Sequence, residues 1–141
     1  MESKLGRLKL DPDALGISSL FERVTGVKVK DCFKDSETLY FIVAPGTIRK
    51  AVGKGGENIK RIQLKMDKRV KVIEYRDDVI SFVGSVIYPI TVEEIIQDDD
   101  VIFIKDSHKK TKSLLIGRDG KNLQIINRAV KRFFNVEVKV M

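Results

Sequence analysis

Hydrophobic and polar residues alternate along this chain with periods that predict short helices and strands. The same order of predicted elements occurs in each half of the chain. In the first half, Ile59, Ile62 and Met66 recur at spacings of three and four, the period of an amphipathic helix. Runs rich in β-branched residues between polar turns predict strands. The predicted elements are a helix at 11–25, strands at 27–30 and 39–44, helices at 45–52 and 57–66, and a strand at 70–75.

The second half of the chain repeats this order. Its predicted elements are a helix at 79–88, strands at 90–96 and 101–105, helices at 107–115 and 121–134, and a strand at 136–140. Ser107 is the predicted cap of the helix that it begins. The pattern predicts an α+β fold, an α/β sandwich, in which an N-terminal arm at 1–10 precedes two domains at 11–76 and 77–141. Each domain is expected to be a three-stranded sheet covered by three helices.

One glycine-rich turn occurs at the same place in both halves. The sequence VGKGGENI begins at Val52 and IGRDGKNL begins at Ile116, so the aliphatic, Gly, basic, Gly and Asn positions coincide. Gly53 and Gly117 lie 64 residues apart. A repeat with this period indicates two copies of one structural unit.

The turn has the chemistry of a phosphate-binding loop. Glycine has no Cβ, so a polyanion can approach the main chain closely, and the helix that follows presents unpaired N–H groups and its positive dipole end. Lys54 and Arg118 add a full charge there. A single G-x-x-G is more often a tight turn between helices, but two matching copies favour a nucleic-acid-binding loop. Asp119 repels phosphate, so we expect the second copy to be the weaker binder unless Arg118 and Lys121 offset it.

The net charge of +7 is concentrated around the two turns. Residues 46–76 hold 10 basic and 3 acidic residues, and residues 105–141 hold the same numbers. Residues 77–104 hold 7 acidic and no basic residues, and residues 1–45 are neutral overall. A merely solvated surface mixes both signs along the chain, so this distribution indicates a polyanionic partner.

Composition narrows the remaining classes of protein. The 141 residues are 43% hydrophobic and 33% charged, as in soluble globular proteins. No apolar run is long enough to span a bilayer, and the N-terminus lacks the core of a secretory signal. We therefore expect a cytoplasmic protein with no membrane partner.

Candidate catalytic and metal-binding residues are few. No nucleophile–base pair, metal-ligand cluster or P-loop stands out, which predicts a protein that is not an enzyme and has no cofactor and no metal. His108, the single histidine, lacks partners in the sequence and is predicted to be solvated surface, and Cys32 a small core residue. The acidic run at 97–100 is predicted to be a solvated turn. The lysines at 109, 110 and 112 are predicted either to contact phosphate or to form a solvated helix face.

The two turns, each between short helices, resemble the G-x-x-G loop of K-homology (KH) domains, which clamps four backbone nucleotides of single-stranded RNA or DNA. The chain ends at Met141, directly after the last predicted strand, so the second copy resembles the type II arrangement, and the first copy fits the same order. The resemblance implies that the loops hold phosphates while an apolar groove receives bases. The implied RNA-binding residues are Gly53, Lys54, Gly55, Gly56, Asn58, Lys60, Arg61, Gly117, Arg118, Asp119, Gly120, Lys121 and Asn122. The implied groove-lining residues are Val52, Ile59, Ile116 and Leu123.

Two type II KH domains with almost no linker resemble the archaeal NusA family of transcription factors. The stretches LFE at Leu20, VKDC at Val29 and VIEY at Val72 are similar to that group. The resemblance implies a monomeric single-stranded RNA-binding protein of transcription elongation, termination or antitermination. RNA polymerase is a further partner that the resemblance implies. The polymerase-binding and S1 domains of bacterial relatives have no counterpart in this sequence, so a direct contact of the bacterial kind is not expected.

Two other functions stay open at this point. One is RNA binding in ribosome assembly or on the small ribosomal subunit. The other is a protein adaptor that docks on polymerase and has little affinity for RNA.

Overall fold

A computed structural model describes the main chain of residues 12–141 and the side chains from Gly16 onward. The predicted arm at 1–10, and residue 11 of the first predicted helix, lie outside the described residues. The chain divides into two compact units, with the boundary between Tyr75 and Arg76. Unit 1 denotes the residues up to Tyr75, and unit 2 the residues from Arg76 onward.

Unit 1 contains three helices and three strands within its described part. In chain order they are α1 (Pro12–Thr25), β1 (Val29–Lys34), β2 (Thr38–Val43), α2 (Ile48–Val52), α3 (Glu57–Met66) and β3 (Arg69–Glu74). A single 3-10 turn, Lys54–Gly56, joins α2 to α3. This helix–turn–helix connection therefore carries the glycine motif.

The sheet of unit 1 has β2 in its centre. β1 pairs with it antiparallel, with Cys32 opposite Phe41. β3 pairs with it parallel, from Thr38 opposite Arg69 to Val43 opposite Glu74. Parallel neighbours need a crossover connection, and α2, the glycine turn and α3 together form it.

The core of unit 1 lies between the helices and one face of the sheet. Leu39, Phe41 and Val43 alternate along β2, so their side chains point to the same face, and all three belong to the buried cluster. The ring of Phe21 from α1 stacks on Phe41 with centroids 4.2 Å apart. Ile62 from α3 is fully buried in the same cluster. This packing fixes the helix that follows the glycine turn.

Unit 2 has the same element order. Its elements are α4 (Val79–Ile87), β4 (Glu94–Asp98), β5 (Val101–Lys105), α5 (Lys109–Ile116), α6 (Lys121–Lys131) and β6 (Glu137–Val140). β5 is central, antiparallel to β4 and parallel to β6. A 3-10 turn, Arg118–Gly120, joins α5 to α6. Ile102, Leu115 and Ile126 are fully or almost fully buried, and Phe82 meets Phe133 edge to face at 5.5 Å.

Two predicted strands are displaced in the structure. β1 runs from Val29 to Lys34 rather than from 27 to 30. It begins late because the N–H of buried Val27 bonds the hydroxyl of Thr25 at 3.0 Å. β4 occupies Glu94–Asp98 rather than 90–96. The N–H of Ile90 turns back to the carbonyl of Ile87 at 2.9 Å, so the chain enters the ladder later.

Two predicted helices are shorter than expected. α2 begins at Ile48 rather than at 45, because Gly46 adopts a φ of 81° that an α-helix does not allow. α6 ends at Lys131 rather than at 134, since the N–H of Phe133 bonds the carbonyl of Val130 three residues back and tightens the last turn. α3 and β5 match their predictions, and the remaining boundaries differ by one or two residues.

The prediction that Ser107 caps α5 is wrong. His108 occupies the cap position. The hydroxyl of Ser107 instead donates to Glu93 Oε2 at 2.7 Å.

No helix in the described part of the chain is both long and apolar enough to cross a membrane.

Candidate nucleic-acid interface

The first glycine of each turn is required by the backbone and by packing. Gly53 has φ 82° and ψ 167°, and Gly117 has φ 76° and ψ 174°, a region essentially restricted to glycine. A Cβ added to Gly53 would lie 2.9 Å from Cγ of Asn58. A Cβ added to Gly117 would lie 2.7 Å from Cβ of Asn122. No other residue fits these two positions without moving the helix that follows.

The asparagine of each motif ties the two helices of the turn together. Nδ2 of Asn58 donates to the carbonyl of Lys50 at 3.1 Å. Nδ2 of Asn122 donates to the carbonyls of Leu114 and Leu115 at 3.1 and 3.0 Å. These carbonyls belong to the last turn of the preceding helix, where no intrahelical donor is available. The amides of both asparagines, which are predicted RNA-binding residues, therefore have a structural role that the motif alone does not reveal.

The middle and last residues of the turn adopt the left-handed conformation in both units. Gly55 has φ 63° and ψ 20°, and Asp119, at the equivalent position, has φ 56° and ψ 26°. Gly56 and Gly120 follow with φ 76° and 74°. Aspartate is one of the few side chains that occupy this region, and a Cβ on Gly55 meets nothing within 4 Å. The two turns thus have the same backbone conformation, and at these two positions they differ only by the carboxylate of Asp119.

The helix after each turn starts without a side-chain cap. α3 follows Gly56 and α6 follows Gly120, and neither cap position makes a side-chain hydrogen bond. The turns bond internally from Gly56 N–H to the carbonyl of Gly53 at 3.1 Å and from Gly120 N–H to that of Gly117 at 3.2 Å. The first N–H of each helix is also used within the turn, because Glu57 N–H bonds the carbonyl of Lys54 and Lys121 N–H bonds that of Arg118. An anion is therefore attracted by the positive dipole end of each helix.

The cations around the turns are exposed and unpaired. Lys54, Lys60 and Arg61 in unit 1, with Arg118 and Lys121 in unit 2, are exposed. Within residues 16–141, none of the five forms an ion pair. Lys131 and Lys105 contrast with them, since they pair with Glu137 and Glu94 at 2.7 and 3.9 Å. The cations beside the turns thus remain available to an external anion.

The predicted groove residues stay partly accessible beside the turns. Val52, Ile59 and Leu123 are half-buried, and Ile116 is 38% exposed. Ile62, one turn further along α3, is fully buried in the core. The structure therefore brings an accessible apolar residue, a glycine turn and free cations together in each unit.

No family model matches the sequence. The chain is 37% identical over 128 residues to the probable transcription termination protein NusA of Methanococcus vannielii, covering 88% of this chain and 72% of that protein. It is 32% identical over 142 residues to the protein of the same name from Methanocaldococcus jannaschii, covering 97% of this chain and 77% of that protein. The chain belongs to the archaeal NusA family.

A solved structure has a similar fold. The crystal structure of APE1850 is similar with a TM-score of 0.75 and 27% identity, covering 94% of this chain and all of that one. The α+β architecture with two three-stranded sheets is thus shared with a known protein.

A second polar cluster in this NusA-family chain lies at the start of α5. Glu93, Asp106 and His108 place ligand-type atoms within 4.8 Å of one another. Nδ1 of His108 lies 2.9 Å from Oδ1 of Asp106 and 3.5 Å from Oε2 of Glu93. The side chain of His108 is 71% exposed, which agrees with predicted surface, but the prediction that it lacks partners is wrong.

This cluster holds the start of α5 in place. The N–H of His108 bonds Oδ1 of Asp106 at 2.8 Å, and the N–H of Glu93 bonds Oδ2 at 3.1 Å. These bonds, chiefly that from His108 N–H, lower the pKa of the buried Asp106 carboxyl below its usual value. The carboxylate oxygens thus already have protein partners, and the sequence could not reveal them because Glu93 and Asp106 are distant in the chain.

The remaining residues that the sequence singled out are Cys32, the acidic run at 97–100 and the lysines of α5. Cys32 is half-buried and packs against the unit 1 core. The acidic turn is shorter than predicted, since β4 continues through Asp98. Lys109 and Lys110 are exposed at the first turn of α5, about 12 Å along the helix axis from Gly117 at ~1.5 Å per residue. They lie at the opposite end of α5 from the glycine turn.

Proposed function

We propose that this chain binds single-stranded RNA and acts in transcription termination or elongation, by binding and not by catalysis. The observation that carries the proposal is the pair of glycine turns with one backbone geometry, each beside free cations and an uncapped helix. The relatives' name, probable transcription termination protein, supports the process.

The units correspond, in this proposal, to two type II KH domains at 11–76 and 77–141. The support is the element order within each unit: helix, two antiparallel strands, helix, glycine turn, helix, and a strand parallel to the central one. We propose that the chain acts as a monomer, and that RNA polymerase, if it is contacted, is bound through surfaces other than the glycine turns.

The turns hold phosphates and the neighbouring groove receives bases. Lys54 and Arg118 supply charge at the first position after each leading glycine, and the start of α3 or α6 supplies its positive dipole end. Lys60, Arg61 and Lys121 extend the phosphate contact. Val52 and Ile59, with Ile116 and Leu123 in unit 2, pack against the base faces. Asn58 and Asn122 contribute through the turn geometry that they hold.

The proposal is tested by charge reversal in the turns. Replacing Lys54-Gly55 and Arg118-Asp119 together by Asp-Asp should reduce affinity for a single-stranded oligonucleotide by at least about 100-fold, measured by fluorescence anisotropy. Lys28→Asp is the control for a single charge reversal away from the turns, because Lys28 is exposed and lies outside both basic blocks. With roughly 4 to 8 phosphates neutralised, log K should fall against log salt with a slope of about −3 to −6, and duplex RNA should bind more weakly. Normal RNA binding by the folded turn variant contradicts the proposal.

The process needs a separate experiment. Termination by a purified archaeal RNA polymerase should change when the wild-type chain is added, and should not change with the turn variant. Crosslinking in cells should recover nascent transcripts; a dominance of ribosomal RNA would place the same binding chemistry in ribosome assembly instead.

A further inference from the structure

The asparagine bonds give a residue-by-residue equivalence between α2 and α5. Asn58 bonds the carbonyl of Lys50, and Asn122 bonds that of Leu114. The chain directions and the following glycines also match, so the sequences of α2 and α5 align without a gap from this point. Ile48 is therefore equivalent to Lys112, and Val52 to Ile116.

The flank of α2 that carries Ile48 and Val52 lies across the helix from Lys50. A Cβ added to Gly26, at the end of α1, would lie 3.3 Å from Cε of Lys50, which shows that Lys50 extends over that end. At about 100° per residue, Ile48 and Val52 both lie roughly 160° around the helix from Lys50. Val52 is the residue assigned to the base-binding groove. Ile48 shares its side of the helix, and so does Lys112 with Ile116 in unit 2.

The two units differ in chemistry at this position. Ile48 and Lys112 are both half-buried. Lys112 forms no ion pair within residues 16–141. A lysine stem packs on apolar surface while its ammonium head stays in solvent. The arrangement gives unit 2 a hydrogen-bond donor where unit 1 has only a methyl surface.

We propose that Lys112 makes unit 2 selective for a guanine in its groove, whereas unit 1 does not discriminate in this way; the inference rests on the RNA-binding function proposed above. An ammonium group has three donors and no acceptor. Guanine presents two adjacent acceptors, O6 and N7, whereas adenine presents an amino donor in place of O6. Ile48 in unit 1 has no hydrogen-bond donor. It packs equally well against the ring face of guanine or of adenine.

The test compares RNA oligonucleotides that differ in one base, using the full chain with the unit 1 turn inactivated by Lys54→Asp and Gly55→Asp. The probe is an otherwise all-adenine oligonucleotide that carries one guanine, one adenine or one 2-aminopurine, which lacks O6. We expect guanine to bind about 5- to 20-fold more tightly than either of the others. Lys112→Ile should abolish this ratio, and Lys112→Arg should keep it.

Lys110→Ile is the matched control for charge, because Lys110 lies on the exposed side of the same helix. It should weaken all three oligonucleotides equally and leave the ratio intact. If RNA binds but the guanine ratio is absent, or survives in Lys112→Ile, the assignment of Lys112 is overturned and the RNA-binding function stands. If the wild-type chain with both turns intact binds no RNA, the proposed function itself fails.

Discussion

The most direct experiment exchanges Gly55 and Asp119, which occupy the same position of the two turns. They have the same backbone conformation and differ in charge. Gly55 and Asp119 have the same left-handed backbone, and a side chain at position 55 has free space around it. Gly55→Asp therefore gives turn 1 the carboxylate of turn 2, and Asp119→Gly removes it from turn 2. Both changes should fold, because each copies an arrangement that the chain already contains.

The size of the effect follows from Coulomb's law. A carboxylate about 7 Å from a phosphate repels it by roughly 0.6 kcal/mol at a dielectric of ~80 and roughly 2.4 kcal/mol at ~20. Physiological salt screens part of this, so we expect a change of about 3- to 10-fold in affinity. Gly55→Asp should weaken RNA binding by this factor, and Asp119→Gly should strengthen it.

The assay is fluorescence anisotropy with a single-stranded oligonucleotide, at two salt concentrations. Gly55→Asn and Asp119→Asn are the controls, because asparagine tolerates the left-handed region without a charge. Stability should change little: strain of about 1 kcal/mol at position 55 is partly offset by the lower entropy of the unfolded chain. If Gly55→Asn weakens binding as much as Gly55→Asp, shape and not charge decides affinity. If neither change at 119 alters affinity, turn 2 does not meet phosphate.

Three further predictions concern stability. Ile62→Asp should unfold unit 1, because it places an unpaired charge at a fully buried position; a dispersed NMR spectrum for unit 1 would contradict this. Asn122→Ala should lower the free energy of unfolding by about 0.5 to 1.5 kcal/mol, since two helix carbonyls lose their donor, and chemical denaturation measures it; an unchanged midpoint would refute the tie between α5 and α6. The depressed pKa of Asp106 means that its contribution is complete above the unfolded pKa and is lost as pH falls through the lower folded value. The melting temperature of Asp106→Asn should therefore fall less than that of the wild type between pH 6 and pH 3, and equal falls would show that this carboxylate is not linked to folding.

Local patterns determined the elements and the position of the candidate site. α3 could be predicted at Glu57–Met66 because its apolar residues follow one helical period and a glycine marks its start. β5 could be predicted because it is a short β-branched run between acidic and polar residues. The repeat and the two basic blocks are likewise properties of the sequence itself. These signals depend on neighbours within a few positions, which is the range over which helix and strand periods act.

Tertiary contacts decided what these patterns could not. Just before β4, which starts late because Ile90 turns back to Ile87, the N–H of Glu93 bonds Asp106, 13 residues further along the chain. Asn58 and Asn122 look like ligand-binding residues in the sequence, but their amides bond the carbonyls of the preceding helix. The difference between Ile48 and Lys112 can be related to the proposed groove only when the fold shows which flank of each helix they occupy. Such hydrogen bonds and helix orientations depend on how separate elements pack. This packing cannot be read from any single stretch of residues.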